Sequence, residues 1–198
     1  MRPIRWLVAL AVAPASVSAQ APAAETPPEA QQIAAAVLPL PTEFRENAQV
    51  LGYRTGSTKL VTLRAGKGPF TCLASDPAGP RFHVACYHQS MEPFMLRGRT
   101  LRAEGVKGEQ VDTVRFKEVK AGKLMMPKQP AALYSLTGPT GSFDPASGTT
   151  HGTTPLFVIY IPGATSLSTG LSIQPVQGGP WIMFPGTPKA HIMLVPKM

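Results

Sequence analysis

Phe70 to His88 reads FTCLASDPAGPRFHVACYH and holds both cysteines and two of the four histidines of the chain. Its apolar ends flank Asp76-Pro77-Ala78-Gly79-Pro80-Arg81, whose Asp, Pro and Gly supply the backbone angles of a turn. The stretch predicts a hairpin, one strand over 68–75 and the next over 82–88, that brings Cys72 opposite Cys86. Period-two alternation puts Phe70, Cys72 and Ala74 on the same face as Phe82, Val84 and Cys86, and turns His83 and Tyr87 the other way. Two thiols facing each other in an apolar layer predict a disulfide, and closing a loop of this size stabilises a fold by roughly 3 kcal/mol.

A disulfide requires an oxidising compartment. The chain opens with Arg2 and Arg5, an apolar run from Trp6 to Ala13, and Val17-Ser18-Ala19 before Gln20, the pattern of a secretory signal peptide over residues 1–19. That run is too short to span a bilayer, and no cysteine follows to accept a lipid. The expectation is a mature chain from about Gln20, periplasmic or secreted, without a transmembrane segment. Residues 20–28 read as an Ala- and Pro-rich linker, and 29–198 as a single domain. The formal charge is +8, or +6 without Arg2 and Arg5, which attracts anionic surfaces such as lipid headgroups or acidic polysaccharide. No nucleic-acid module with aromatic residues interleaved in a basic patch is present.

Outward from the hairpin, Ala30, Ile33, Ala34, Val37 and Leu38 recur at helical spacing between Pro28 and Pro39 and predict an amphipathic helix from Glu29. Val50 to Arg54 and Ser57 to Arg64 predict a second hairpin around Thr55-Gly56, which with the stapled pair makes a four-strand meander. Met91, Phe94, Met95, Gly98 and Leu101 form the inward stripe of a helix over 91–104. Gly98 would let this helix approach the sheet, and Arg97, Arg99 and Arg102 would form a solvated face. Glu109 to Ala121 predicts a further helix. Ala131–Thr137, Leu156–Ile161, Leu171–Ile173, Trp181–Phe184 and His191–Val195 complete the strands, and the Gly-, Thr- and Ser-rich stretch from Gly138 to Pro155 reads as a mobile loop. The class is α+β: an antiparallel sheet, made of the disulfide-stapled meander plus C-terminal strands, with two or three packed helices.

The HVACYH stretch with Met91-Glu92-Pro93-Phe94, and the ending Pro180-Trp181-Ile182-Met183-Phe184-Pro185-Gly186-Thr187-Pro188 before Ala190-His191-Ile192-Met193, resemble uncharacterised secreted bacterial proteins. The resemblance implies a bacterial origin and brings no activity.

Four constellations could carry chemistry. His83, His88 and His191, with Met193 or Met91 as soft ligands, would suit copper, and three imidazoles would suit zinc, although no spacing here is a metal signature. His83 and His88 are five residues apart, which in a flat strand places them on opposite faces. Cys86 beside a histidine would make a thiolate nucleophile, against which stands its pairing with Cys72. Ser166, Ser168 or Ser172 with a histidine would serve a hydrolase, but the Gly-x-Ser-x-Gly turn is absent. Glu92, four residues after His88, could orient that imidazole as a general base; a first-turn partner for the helix dipole is the simpler role. With no complete catalytic set, the expectation is a non-catalytic extracytoplasmic binding or interaction protein; the alternative is a hydrolase or metal-dependent protein with a histidine-centred site.

Overall fold

In a computed structural model that describes residues 25–196, the chain begins with α1 (Glu29–Ala36), α2 (Thr42–Arg45), β1 (Gln49–Tyr53), β2 (Leu60–Arg64), β3 (Phe70–Leu73) and β4 (Phe82–His88). A 3-10 turn over Gln89–Met91 enters α3 (Glu92–Ala103), followed by α4 (Gln110–Lys120) and β5 (Ala131–Gly138). Then come β6 (Phe143–Asp144), β7 (Thr149–Thr150), β8 (Thr154–Tyr160), α5 (Ser166–Thr169), β9 (Trp181–Met183) and β10 (His191–Leu194). The expected signal peptide and most of the linker lie outside the described residues. No described helix is long and apolar enough to cross a membrane.

Eight strands form one sheet in the order β2-β1-β3-β4-β5-β8-β10-β9, antiparallel throughout except between β1 and β3. The α+β class is as expected. Cys72 lies directly opposite Cys86, the two sulfurs are bonded, and both residues are wholly buried.

The first four strands share the sheet, but not as a sequential meander. β2 lies at the edge, and the chain crosses the end of β1 so that β3 joins β1 in parallel. The crossing hugs the β1 backbone: Gly68 N–H donates to the Asn47 carbonyl at 2.7 Å. At Gly66 a Cβ would stand 2.1 Å from the Gln49 amide nitrogen, so only glycine fits.

The alternation sorts the core between two faces. On one, α1 and α2 cover Val50, Phe70, Cys72 and Cys86, with Ala36 and Leu40 packed against them. Aromatic contacts run onward from Phe44 to Phe70, Tyr134 and Phe157. On the other, the 3-10 turn brings Met91 and α3 brings Phe94 onto Tyr87, Ala131, Val158 and Tyr160. β8 is buried at Val158 and Tyr160 but leaves Ile159 43% exposed.

Three further expectations change. Gly98 makes room for a side chain and not for the sheet, since a Cβ there would meet Arg115 Nη1 at 2.8 Å. The 138–155 stretch is not a structureless loop: β6 and β7 pair within it, Ser142 is buried, and His151 N–H donates to the Ser142 carbonyl. Leu171–Ile173 is no strand, although the Ser172 carbonyl accepts from Ile182 N–H at 2.9 Å.

Candidate functional site

The predicted histidines are held apart by the sheet itself. His83 and His88 sit near opposite ends of β4 and, five residues apart, on opposite faces. His83 is exposed and bonds Thr137 Oγ1 at 2.8 Å through Nδ1; His88 Nδ1 meets Ser90 Oγ at 2.8 Å. His191 lies on β10, with β5 and β8 between it and β4. Strands are spaced about 4.8 Å apart, so His88 and His191 are separated by roughly 14 Å of sheet. Among the described residues no group of three or more His, Cys, Asp or Glu side chains converges as a metal site would require. Met91 is fully buried beside Tyr87 and Phe94, and Met193 packs on the same cluster.

The other candidates are also committed locally. Cys86 is oxidised to Cys72. Ser166 Oγ donates to the Leu171 carbonyl, Ser168 completes the capping box of α5 with Thr165, and Ser172 Oγ accepts from Gln174 N–H at 3.0 Å. None of these serines bonds a histidine.

Glu92 does not orient His88. Its carboxylate accepts from the Tyr87 hydroxyl and from Arg99 Nη2 at 2.6 Å, while Arg99 Nη1 donates to the Tyr87 oxygen at 2.8 Å. Burial, then the hydrogen bond to Glu92, pushes the Tyr87 phenol up, so it stays protonated. This closed triad pins the start of α3 to β4. Arg99 is thus no solvated arginine, and Arg97 donates both Nε and Nη2 to Glu118 of α4.

A second polar cluster joins α4 to the last strands. Arg115, 4% exposed, stacks 3.8 Å over the Phe94 ring, donates Nη1 to the Phe94 carbonyl at 3.1 Å and Nη2 to Asp112. Its Nε is buried without a partner among the described residues. The other Asp112 oxygen accepts from Lys189 Nζ at 2.8 Å, and Lys189 also lies over Phe184. Burial pushes the Asp112 carboxyl up, but hydrogen bonds from Lys189 and Arg115 outweigh it and hold it below the usual carboxylate range. Phe184 has φ 51°, a left-handed angle unusual for a bulky residue, fixed as Thr187 Oγ1 donates to its carbonyl at 2.8 Å. It and Tyr160 flank His191, whose Nδ1 meets the Lys189 carbonyl at 2.7 Å. Donation to a carbonyl makes Nδ1 the protonated nitrogen of a neutral ring, and burial lowers the pKa of His191 accordingly. Every charged group here faces another part of the chain, so the cluster is a joint between α4 and β10. Sequence reasoning missed it; the only local signal was the i,i+3 spacing of Asp112 and Arg115.

The surface also holds a concave, mostly apolar site built around the stapled hairpin. The disulfide fixes β3 against β4, and their connecting turn then stands beside α1 and the β5–β6 connection. Between these three segments lies a cleft of about 250 Å³. Ala35, Ala74, Phe82 and Phe143 line it, with Gln31 and Arg81 among its polar residues. None of these was singled out as a site residue from sequence, because the three segments are distant along the chain and none carries a motif.

Comparison with protein-family models, curated proteins and solved structures finds no match.

Proposed function

We propose that this chain is a non-catalytic, extracytoplasmic binding protein that receives an apolar group in the cleft between α1, the β3–β4 turn and the β5–β6 connection. The observation that carries the reading is the cleft itself: concave, walled by apolar side chains and framed by a disulfide-fixed turn. An apolar cavity of about 150 Å³ takes a benzene ring, so this volume suits one substituted ring or a short branched chain presented by a larger ligand. Arg81 lines the cleft together with the carboxylates of Glu25 and Asp76, so its charge favours no anion and the apolar walls carry the recognition. The signal-peptide pattern of residues 1–19 and the disulfide support an oxidising location. The separation of His83, His88 and His191 leaves a histidine-centred enzyme or metal site without a shared geometry to support it.

The probe is 2-naphthol, a neutral two-ring molecule, titrated into isotope-labelled protein and followed by NMR. Saturable binding at millimolar concentration or tighter, with shifts at Ala35, Phe82 and Phe143, is expected. Gln31→Trp fills the cleft and weakens binding about tenfold or more, whereas Ala34→Trp, on the exposed side of the same helix, leaves it unchanged. Absence of saturable binding, or equal affinity in wild type and Gln31→Trp, overturns the reading.

A further inference from the structure

The two edges of the sheet are finished differently. Beside β9, the Ile182 N–H donates to the Ser172 carbonyl, so the chain's own 170–174 segment occupies that edge. Beside β2 no described residue does. Among the described residues, the outward amides and carbonyls of Leu60–Arg64 make no hydrogen bond beyond the ladder with β1. The strand contains no proline, its one irregularity is a bulge at Leu63, where Val50 pairs with Arg64 but Leu51 with Thr62, and its exposed centre, Val61 and Thr62, is β-branched and lies in the regular part. Such an edge is a template for another extended chain.

Charge indicates what kind of chain. From Lys59 to Lys67 the sequence KLVTLRAGK carries three cations and no acid. Lys59 and Lys67 are exposed and meet no carboxylate among the described residues. Arg64 is spent on backbone carbonyls, donating Nε and Nη2 to Ala48 and Nη2 to Arg45, so its charge is not neutralised either. A second copy fits poorly. Antiparallel self-pairing about Thr62 would set Leu60 opposite Arg64 and bring each Lys59 beside the other copy's Arg64, like charge against like charge.

We propose that β2 is a docking edge for an extended segment of a partner protein, β-branched or apolar at its centre and acidic at its ends, which joins the sheet as an added strand. The main chain supplies hydrogen bonds, Val61 offers an apolar contact on one face, and the terminal carboxylates meet Lys59 and Lys67. This surface is independent of the cleft.

The test uses the peptide Asp-Val-Thr-Val-Thr-Val-Asp, blocked at both ends, with amide shifts and hydrogen exchange read on labelled protein. Binding is expected to shift and protect the outward amides of 60–64. A version with proline at the central valine cannot complete the ladder, and one with lysine for both aspartates reverses the charge; each binds about tenfold more weakly or worse. The protein variant Lys59→Glu/Lys67→Glu loses affinity for the acidic peptide by a similar factor, while its melting temperature stays put because both side chains are exposed. The proposal is overturned if none of the peptides binds, if the acidic and proline peptides bind alike, if the shifts fall outside 60–64, or if the free chain dimerises with these amides already protected. Cleft binding of 2-naphthol is read at Ala35, Phe82 and Phe143, so failure at one surface is distinguishable from failure at the other.

Discussion

Val50, Cys72, Val84 and Cys86 lock the β1–β3–β4 end of the sheet with wholly buried apolar contacts and one covalent bond, whereas the β8–β10 end is joined to α4 through Asp112, Arg115 and Lys189. The first set carries no titratable group. The second is ionic and sits beside a neutral, buried His191. One sheet therefore has an end that answers to reductant and an end that answers to acid and salt, and the two can be perturbed separately.

The largest expected effect is at the stapled end. Replacing both cysteines with alanine lowers unfolding free energy by roughly 3 kcal/mol, measured by urea denaturation, and leaves the acid sensitivity of the other end intact. A loss well under about 1 kcal/mol would show that packing alone holds the hairpin and would erase the contrast.

Next comes Asp112→Ala, which strands the buried Arg115 guanidinium and costs about 2 kcal/mol by the same measurement. Pairing Asp112→Leu with Arg115→Met recovers most of that, because no uncompensated charge stays buried. If the single substitutions simply add in the double variant, the two residues are not a coupled unit.

The pH profile sharpens the difference further. The Asp112 carboxyl titrates below its unfolded value, so its contribution is complete above the ordinary carboxylate pKa and fades as pH falls below about 4. His191 is held neutral, so the unfolded chain takes up that proton first and stability begins to fall below about pH 6.5. Melting temperatures should show the first limb reduced in Asp112→Asn and the second reduced in His191→Gln, with His83 on β4, whose pKa burial and Arg81 also lower, keeping part of that second limb. A staple-less variant should keep both.

Lys189→Met has the smallest effect, about 0.5–1 kcal/mol, since this arm of the ion network is partly exposed and salt screens it. Wild type and variant should converge in stability as salt is raised.

Much of the stapled end was legible because its signals are local. The turn residues 76–81, the alternation on either side and the cysteine spacing all belong to one short stretch, and the register of Cys72 with Cys86 follows from them. Helical periodicity likewise placed α1 and α3, and charge density ending at Ala121-Gly122 placed α4, to within a few residues. The parallel pairing of β1 with β3 was hidden, because alternation says which face a residue takes and not which strand stands beside it. Its one trace is Gly66, whose meaning emerges only once the crossing is packed on Gln49. The arginines of α3 were read as solvated because a helix seen alone leaves them outside; Arg97 and Arg99 find their partners only after α3 packs on α4 and on β4. The cleft was hidden for the same reason, its walls being brought together from three parts of the chain.

The central seam has a consequence for how the molecule is made. Residues 82–88 must find residues 131–138, with α3 and α4 intervening, before the two ends of the sheet become one. Each end can gather from nearby stretches, but this junction closes a long loop, and such closures set slow folding rates. Until it closes, the apolar strand from Phe82 to His88 presents a bare edge to every other copy in solution. Refolding yield should therefore fall as protein concentration rises, because folding of dispersed single chains suits this topology better than folding in a crowd.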